Sequence, residues 1–382
     1  MSGYLVNKID LDDIFVALGS NTSTTIVTNY KTSDGKDLNQ RYLPLGTNIK
    51  YTSDTEFRIT DGMDLREIFA HEQTPISNLI NTTSTTCKYT KIPYGTDGTQ
   101  IIVTSSGDLI FNYQVKGFDF VIIGGGGGGG WFSKYYTLYV SGGGGSGGYF
   151  TGYFDKFKNK CVITIGNGGK GGADGASSGQ IGNASAVYFT NTINDTGTSS
   201  VSCLGGGGGA SSFNYGSNGG SGGGGGGDPS NVKLGGDAIA ATTTNVIETQ
   251  PPIQGKNGGQ GGKSTSYYAS GGGGGGPGGA GGNGSGGSSP VGGNGGGGIT
   301  HNSITFGGGG GGAGGYDGNG GSGGGNGGSG ANGRSGTGGN GGAATSYGGG
   351  GGGGGGSTNY TGGNGYAGVL VMWIFPSNIY NI

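Results

Sequence analysis

Apolar residues in this chain gather in short runs of strand length. Gln100 to Thr104, Leu109 to Val115, Phe118 to Ile123 and Cys161 to Ile165 are rich in β-branched and aromatic residues, and each predicts a strand. The run Val369 to Phe375 is apolar at every position. A terminal strand of this kind is expected to pair with an early one, closing the body and hiding its sheet edges. Phe118 to Ile123 leads directly into seven glycines, Gly124 to Gly130, and Cys161 to Ile165 leads into Gly166.

A different pattern occupies residues 1–72. Asp10-Leu11, Asp37-Leu38 and Asp64-Leu65 recur at a 27-residue step, and Ile14-Phe15, Arg41-Tyr42 and Ile68-Phe69 follow at the same step. Each unit reads as an extended segment (Thr25 to Thr32; Asn48 to Tyr51 with Phe57 to Thr60), a turn and a short helix. The Asp is placed to cap that helix, and Leu11, Leu38 and Leu65 share a face with Phe15, Tyr42 and Phe69. Units this short must pack on one another or on a partner, so residues 1–72 are expected to be an assembly or anchoring module. Residues 73–95, rich in Thr, Asn and Pro, read as a linker or a first edge strand.

Composition changes the picture for the rest. Glycine supplies 108 of 382 residues and proline only 9, which excludes collagen. From Gly309 every third residue through Gly342 is glycine, and shorter phased runs occupy 166–175, 216–225 and 275–287. Three residues per turn is the polyproline II period, a conformation without internal hydrogen bonds. Its amides and carbonyls need outside partners, and neighbouring glycine helices can supply them because no Cβ blocks the approach. The predicted fold is therefore mainly β and irregular: the repeat module, then a β-framed polyglycine II sandwich over residues 96–382. The interruptions 131–140, 149–157, 228–254, 264–270, 299–306, 343–347 and 357–361 read as reversals between helices.

Net charge is −2 with 10% charged residues, which argues against nucleic acid as a partner. No apolar run is long enough to span a bilayer, and Met1 to Asp13 lacks a secretory pattern, so cytoplasmic synthesis is expected. Cys87, Cys161 and Cys203 lack metal-ligand spacing; they read as small apolar residues, with a Cys161–Cys203 bridge as the alternative. His71 and His301 have no acidic partner pattern, and Asn257 to Ser264 only approximates a phosphate-binding loop, with no following helix. No enzyme, cofactor or metal is expected. In the reversals, Trp131, Tyr135, Tyr136, Tyr139, Tyr267 and Tyr268 either form a glycan- or protein-binding surface or cap the open ends of the glycine layers.

The body resembles glycine-rich domains of bacteriophage and giant-virus structural proteins. The resemblance is carried by Phe118 to Gly124 with its glycine run, Ser141 to Tyr149, Val162 to Gly169, Cys203 to Gly205 and Gly362 to Val371, over residues 105–375. Similar helix packing occurs in the tail-fibre-tip adhesins of T-even-like phages and in an animal receptor kinase ectodomain. The resemblance implies a virion location and reversal loops that contact a host receptor or neighbouring virion proteins. The favoured expectation is a structural protein of the virion surface or fibre, anchored by residues 1–72. A host-receptor adhesin acting through its aromatic loops and a cellular glycine-rich wall or matrix protein are the alternatives.

Overall fold

The computed structural model describes residues 49–53, 56–59, 78–95, 97–131, 140–156, 158–173, 177–190, 199–248, 255–264, 268–316, 318–325, 327, 338–355 and 360–380. In chain order the strands are β1 Ile49–Ser53, β2 Glu56–Ile59, β3 Tyr89–Tyr94, β4 Gly98–Val103, β5 Gly107–Val115, β6 Phe118–Ile123, β7 Tyr149–Phe154, β8 Lys158–Thr164, β9 Ser185–Thr190, β10 Ser199–Cys203, β11 Thr242–Thr244, β12 Ile247–Glu248, β13 Ile299–His301, β14 Ile304–Phe306, β15 Val369–Ile374 and β16 Ile379–Tyr380. One 3₁₀ turn, Pro376–Asn378, separates the last two. The chain is mainly β, and its sheets are antiparallel throughout the described residues.

Two six-stranded sheets, ordered β11-β10-β9-β8-β5-β16 and β12-β7-β6-β15-β4-β3, pack face to face. Alternation along β5, β8 and β9 sends Leu109, Phe111, Cys161, Ile163, Val187 and Phe189 into the shared core. There Phe189 stacks on Phe154 at 4.2 Å and meets Phe120 edge-on at 5.3 Å. The second sheet is covered on its outer side too, by the β13–β14 hairpin. Val121, Ile123, Val369, Val371 and Trp373 pack there with Phe306. Burial on both faces explains why β15 carries no polar residue. It lies between β4 and β6, with Val371 opposite Ile102 and Val121.

Several expectations change here. Tyr149 to Phe157 is not a simple reversal: β7 pairs along the whole of β6, from Phe118↔Phe154 to Ile123↔Tyr149. Residues 73–95 include an edge strand, β3. The three thiols are free and buried, so there is no Cys161–Cys203 bridge; the two cysteines lie on different strands and their burial among apolar side chains accounts for them. The phased runs 216–225, 275–287 and 309–342 each contain a turn. Gly321 and Gly324 donate back to Gly312 and Gly309, and Gly223 donates back to Ser217. The Asp10, Leu11, Phe15, Asp37, Leu38, Tyr42, Asp64, Leu65 and Phe69 repeat lies outside the described residues.

Glycine segments continue the strands at one end of the sandwich. β6 runs into 124–130, β8 into 166–172 and β10 into 204–210, while 142–148, 177–183 and 362–368 lead into β7, β9 and β15. The segment 124–130 shows how they pack. Gly124, Gly127 and Gly130 donate to the carbonyls of Gly148, Gly145 and Gly142; Gly125, Gly128 and Trp131 to Asn183, Gln180 and Ser177; Gly126 and Gly129 to Tyr366 and Gly363, all at 2.8–3.0 Å. Partners therefore alternate with a period of three, and the donors' three neighbours are antiparallel. The carbonyls of Gly125 and Gly128 accept from Gly206 and Gly209, those of Gly126 and Gly129 from Gly169 and Gly172, and those of Gly127 and Gly130 from Gly351 and Gly354. These three neighbours are parallel. Six segments thus surround one, and its buried backbone is satisfied without any side chain. A Cβ on Gly126 would meet the carbonyl oxygen of Gly349, and one on Gly129 that of Gly352; only glycine fits.

At the periphery, asparagine takes over. Gly219 donates to the Asp237 carbonyl while Asp237 N–H donates to Asn218 Oδ1 at 2.7 Å. The same two-bond clamp joins Asn283-Gly284 to Gln260, Asn294-Gly295 to Ser322 and Asn340-Gly341 to Thr361. In each, an Asn-Gly pair holds both backbone groups of one residue on the adjacent segment. Where the neighbour is antiparallel, the bonded residue shifts by two: Gly258 donates to Gly236, whereas Asn257 Oδ1 accepts from Ala238.

Candidate functional site

The glycine segments end in turns at the pole opposite the sandwich. Trp131 is buried there, with its backbone N–H on the Ser177 carbonyl at 2.9 Å. Val140, across the 131–140 reversal, is buried too, and its carbonyl accepts from Gly227 N–H at 2.8 Å and Ser212 Oγ at 3.3 Å. Tyr268, from the 264–270 reversal, stacks on Tyr316 at 4.8 Å and 18°. Both reversals therefore have their bases at one pole. Tyr135, Tyr136, Tyr139 and Tyr267 lie outside the described residues.

The exposed aromatic surface comes from an interruption that sequence reading passed over, Ser211 to Tyr215, between Ala210 and Gly216. Asn214 ties the turn to Ser211 through Nδ2–Oγ (2.7 Å) and backbone (3.2 Å) bonds. Phe213 is held at φ +66° and is 41% exposed; Tyr215 is 62% exposed. A bulky residue in the left-handed region is strained, and such strain persists only where surrounding bonds enforce it. Beside this turn, Asp228 is buried, accepts from Ser230 N–H at 2.7 Å and pairs with Lys233 Nζ at 3.3 Å. That ammonium lies 5.4 Å from the Tyr215 ring centroid, within cation–π range. The signal that could have found this site is modest: two aromatics in a five-residue break of the glycine pattern.

Among the described residues no group of three or more His, Cys, Asp or Glu gathers to hold a metal. Cys161 and Cys203 have their thiol pKa pushed far above the ordinary value by burial, and Cys87 is pushed up to about 11, so none is a thiolate near neutrality. His301 sits 5.1 Å from the Trp373 ring on the outer face of the sandwich, and burial lowers its pKa against an opposing pull from Asp119. No described helix is long and apolar enough to cross a membrane.

No protein-family model matches the chain, and none of the curated proteins does.

Proposed function

We propose that this chain is a non-enzymatic structural protein of a virion surface or fibre, whose residues 96–382 form a rigid polyglycine II sandwich displaying a polar-opposite tip. The observation that carries this reading is the six-neighbour, period-three bonding around residues 124–130. Such an array fixes the backbone through long-range bonds, and that is useful where loops must be held rigidly away from an anchor. Residues 1–72 would attach the body to other virion proteins or to a second copy. Gold-labelled antibody against the glycine body should decorate the outside of purified virus particles. Label found only in the wall or matrix of uninfected cells would overturn the virion reading and favour the cellular matrix one.

A host-recognition role is the second reading, favoured by the strained, exposed Phe213 beside Tyr215 and Lys233. Aromatic anchors at an exposed end suit binding to a host surface glycan or protein. Replacing Phe213 and Tyr215 with Ser should reduce attachment of the purified protein to host cells at least tenfold without changing its melting temperature. Unchanged attachment would remove this surface from consideration.

A further inference from the structure

The Asn-Gly pairs of the glycine body carry a chemical reactivity that their bonding controls. In such a pair the glycine amide nitrogen can attack the asparagine side-chain carbon, because no Cβ hinders its approach. The attack requires the asparagine to turn about its own backbone and the glycine N–H to leave whatever acceptor holds it. Gly219, Gly258, Gly284, Gly295, Gly341 and Gly365 are all held: each donates to a carbonyl on a neighbouring segment at 2.8–3.1 Å. The Oδ1 of the asparagine before each one accepts a backbone N–H as well, at 2.7–2.9 Å. Two bonds must break before any of these pairs can react.

Asn167-Gly168 differs. Asn167 is exposed, and Gly168 N–H has no hydrogen-bond partner among the described residues. The neighbouring segment explains the gap. Gly365 and Gly368 donate to the carbonyls of Gly169 and Gly166 at 2.9 and 2.8 Å, so segments 362–368 and 166–172 are antiparallel. Asn364 Oδ1 accepts from Gly171 N–H at 2.8 Å. One turn further along, Gly168 takes the place of Gly171 and Ala367 that of Asn364. A methyl group offers no acceptor, and the amide stays open.

We infer that Asn167 is a site of spontaneous deamidation in the folded protein. Gly168 N bonds to Asn167 Cγ, the Cγ–Nδ2 bond breaks, and the amide proton departs with ammonia, leaving a succinimide. Water then opens the ring at either carbonyl, giving aspartate or isoaspartate, with no change of oxidation state. Isoaspartate adds one carbon to the main chain just ahead of Gly169 and Gly172, which donate to the carbonyls of Gly126 and Gly129 at 2.8 Å. The modification therefore bears on the register of the central segment. The inference is independent of the virion reading.

The test is to incubate the folded full chain in mildly alkaline buffer, digest it at acid pH and follow each Asn-Gly peptide by mass spectrometry. Asn167 should convert about fivefold faster than Asn218, Asn283 or Asn340, the factor expected for one additional hydrogen bond to be broken at each of those. In urea the four sites should react at similar rates. Ala367→Asn, which supplies the absent acceptor, should slow conversion at Asn167 about fivefold while leaving Asn218 as it was. Equal rates in the folded chain, a preference for Asn167 that persists in urea, or an Asn167 rate unaffected by Ala367→Asn would overturn the assignment.

Discussion

At the residue scale, the decisive atom is the Cβ that glycine lacks. Gly126 donates to Tyr366, accepts from Gly169 and faces the Gly349 carbonyl where a side chain would begin. Alanine there must push apart backbones that are themselves bonded on all sides. Gly126→Ala should lower unfolding free energy by about 3 kcal/mol, read from chemical denaturation. Gly297 has nothing within 4 Å of its Cβ position, so Gly297→Ala should stay within about 0.5 kcal/mol of the parent. Equal costs at the two sites would refute the close-approach argument. Glycine as a residue type was legible from sequence; which glycines are sterically obligatory was not, because that depends on a carbonyl brought from more than a hundred positions away.

At the scale of elements, five strands were legible as apolar runs, whereas β9 and β10, short and rich in Ser and Ala, were not read. β6 was read to the residue, and β4, β5, β8 and β15 to within two or three at an end. β7 was missed because Gly152 interrupts Tyr149–Phe154 and the segment sits between glycine runs; in the sheet that glycine makes room for the Phe150 ring. The glycine segments posed a harder problem, since identical residues carry no register. The Asn-Gly clamps supply it. Loss of one side-chain bond in Asn340→Ala should cost about 1 kcal/mol and raise amide exchange at Thr361. Alanine at Asn218, Asn283, Asn294 and Asn340 together should cost about 4 kcal/mol, near the sum for separated sites. A quadruple variant with parental stability would show that the array sets its own register.

The β13–β14 hairpin adds a pH-dependent element. His301 has its pKa lowered chiefly by burial, so the folded state holds it neutral while the unfolded state takes up a proton near 6.5. Its contribution is present above that value and is lost as pH falls through the lower folded one. NMR of the hairpin against Trp373 should show the contact weakening on the acid side of pH 6.5, and His301→Phe should remove the dependence.

For the whole molecule, alkali is the corresponding stress. Burial raises Cys87 from its ordinary 9.0 to about 11 and Tyr149 from 10.0 to about 12. Above the ordinary values the unfolded chain releases protons that the folded chain retains, so stability falls as pH rises. The urea midpoint should hold steady up to about pH 8.5 and decline from about pH 9 through 11. Cys87→Ala should flatten the early part of that decline. Below pH 8.5, native Cys161 and Cys203 should resist alkylation until the protein is unfolded, which mass spectrometry would read directly.

The amino-acid sequence alone determined what is local: strand-length apolar runs, a closing strand that tolerates no polar face, and a triplet phase that calls for partners outside each segment. Tertiary structure alone decided who those partners are. Residues 124–130 find six neighbours scattered between Gly142 and Tyr366, and nothing in a string of glycines distinguishes one from another. The choice resides in strand pairing, which delivers each segment at a set height and direction, and in peripheral asparagines that lock the last register. The same delivery raised Phe213 and Tyr215 to an exposed pole and set Tyr215 beside Lys233, a meeting of chain segments made only by the fold.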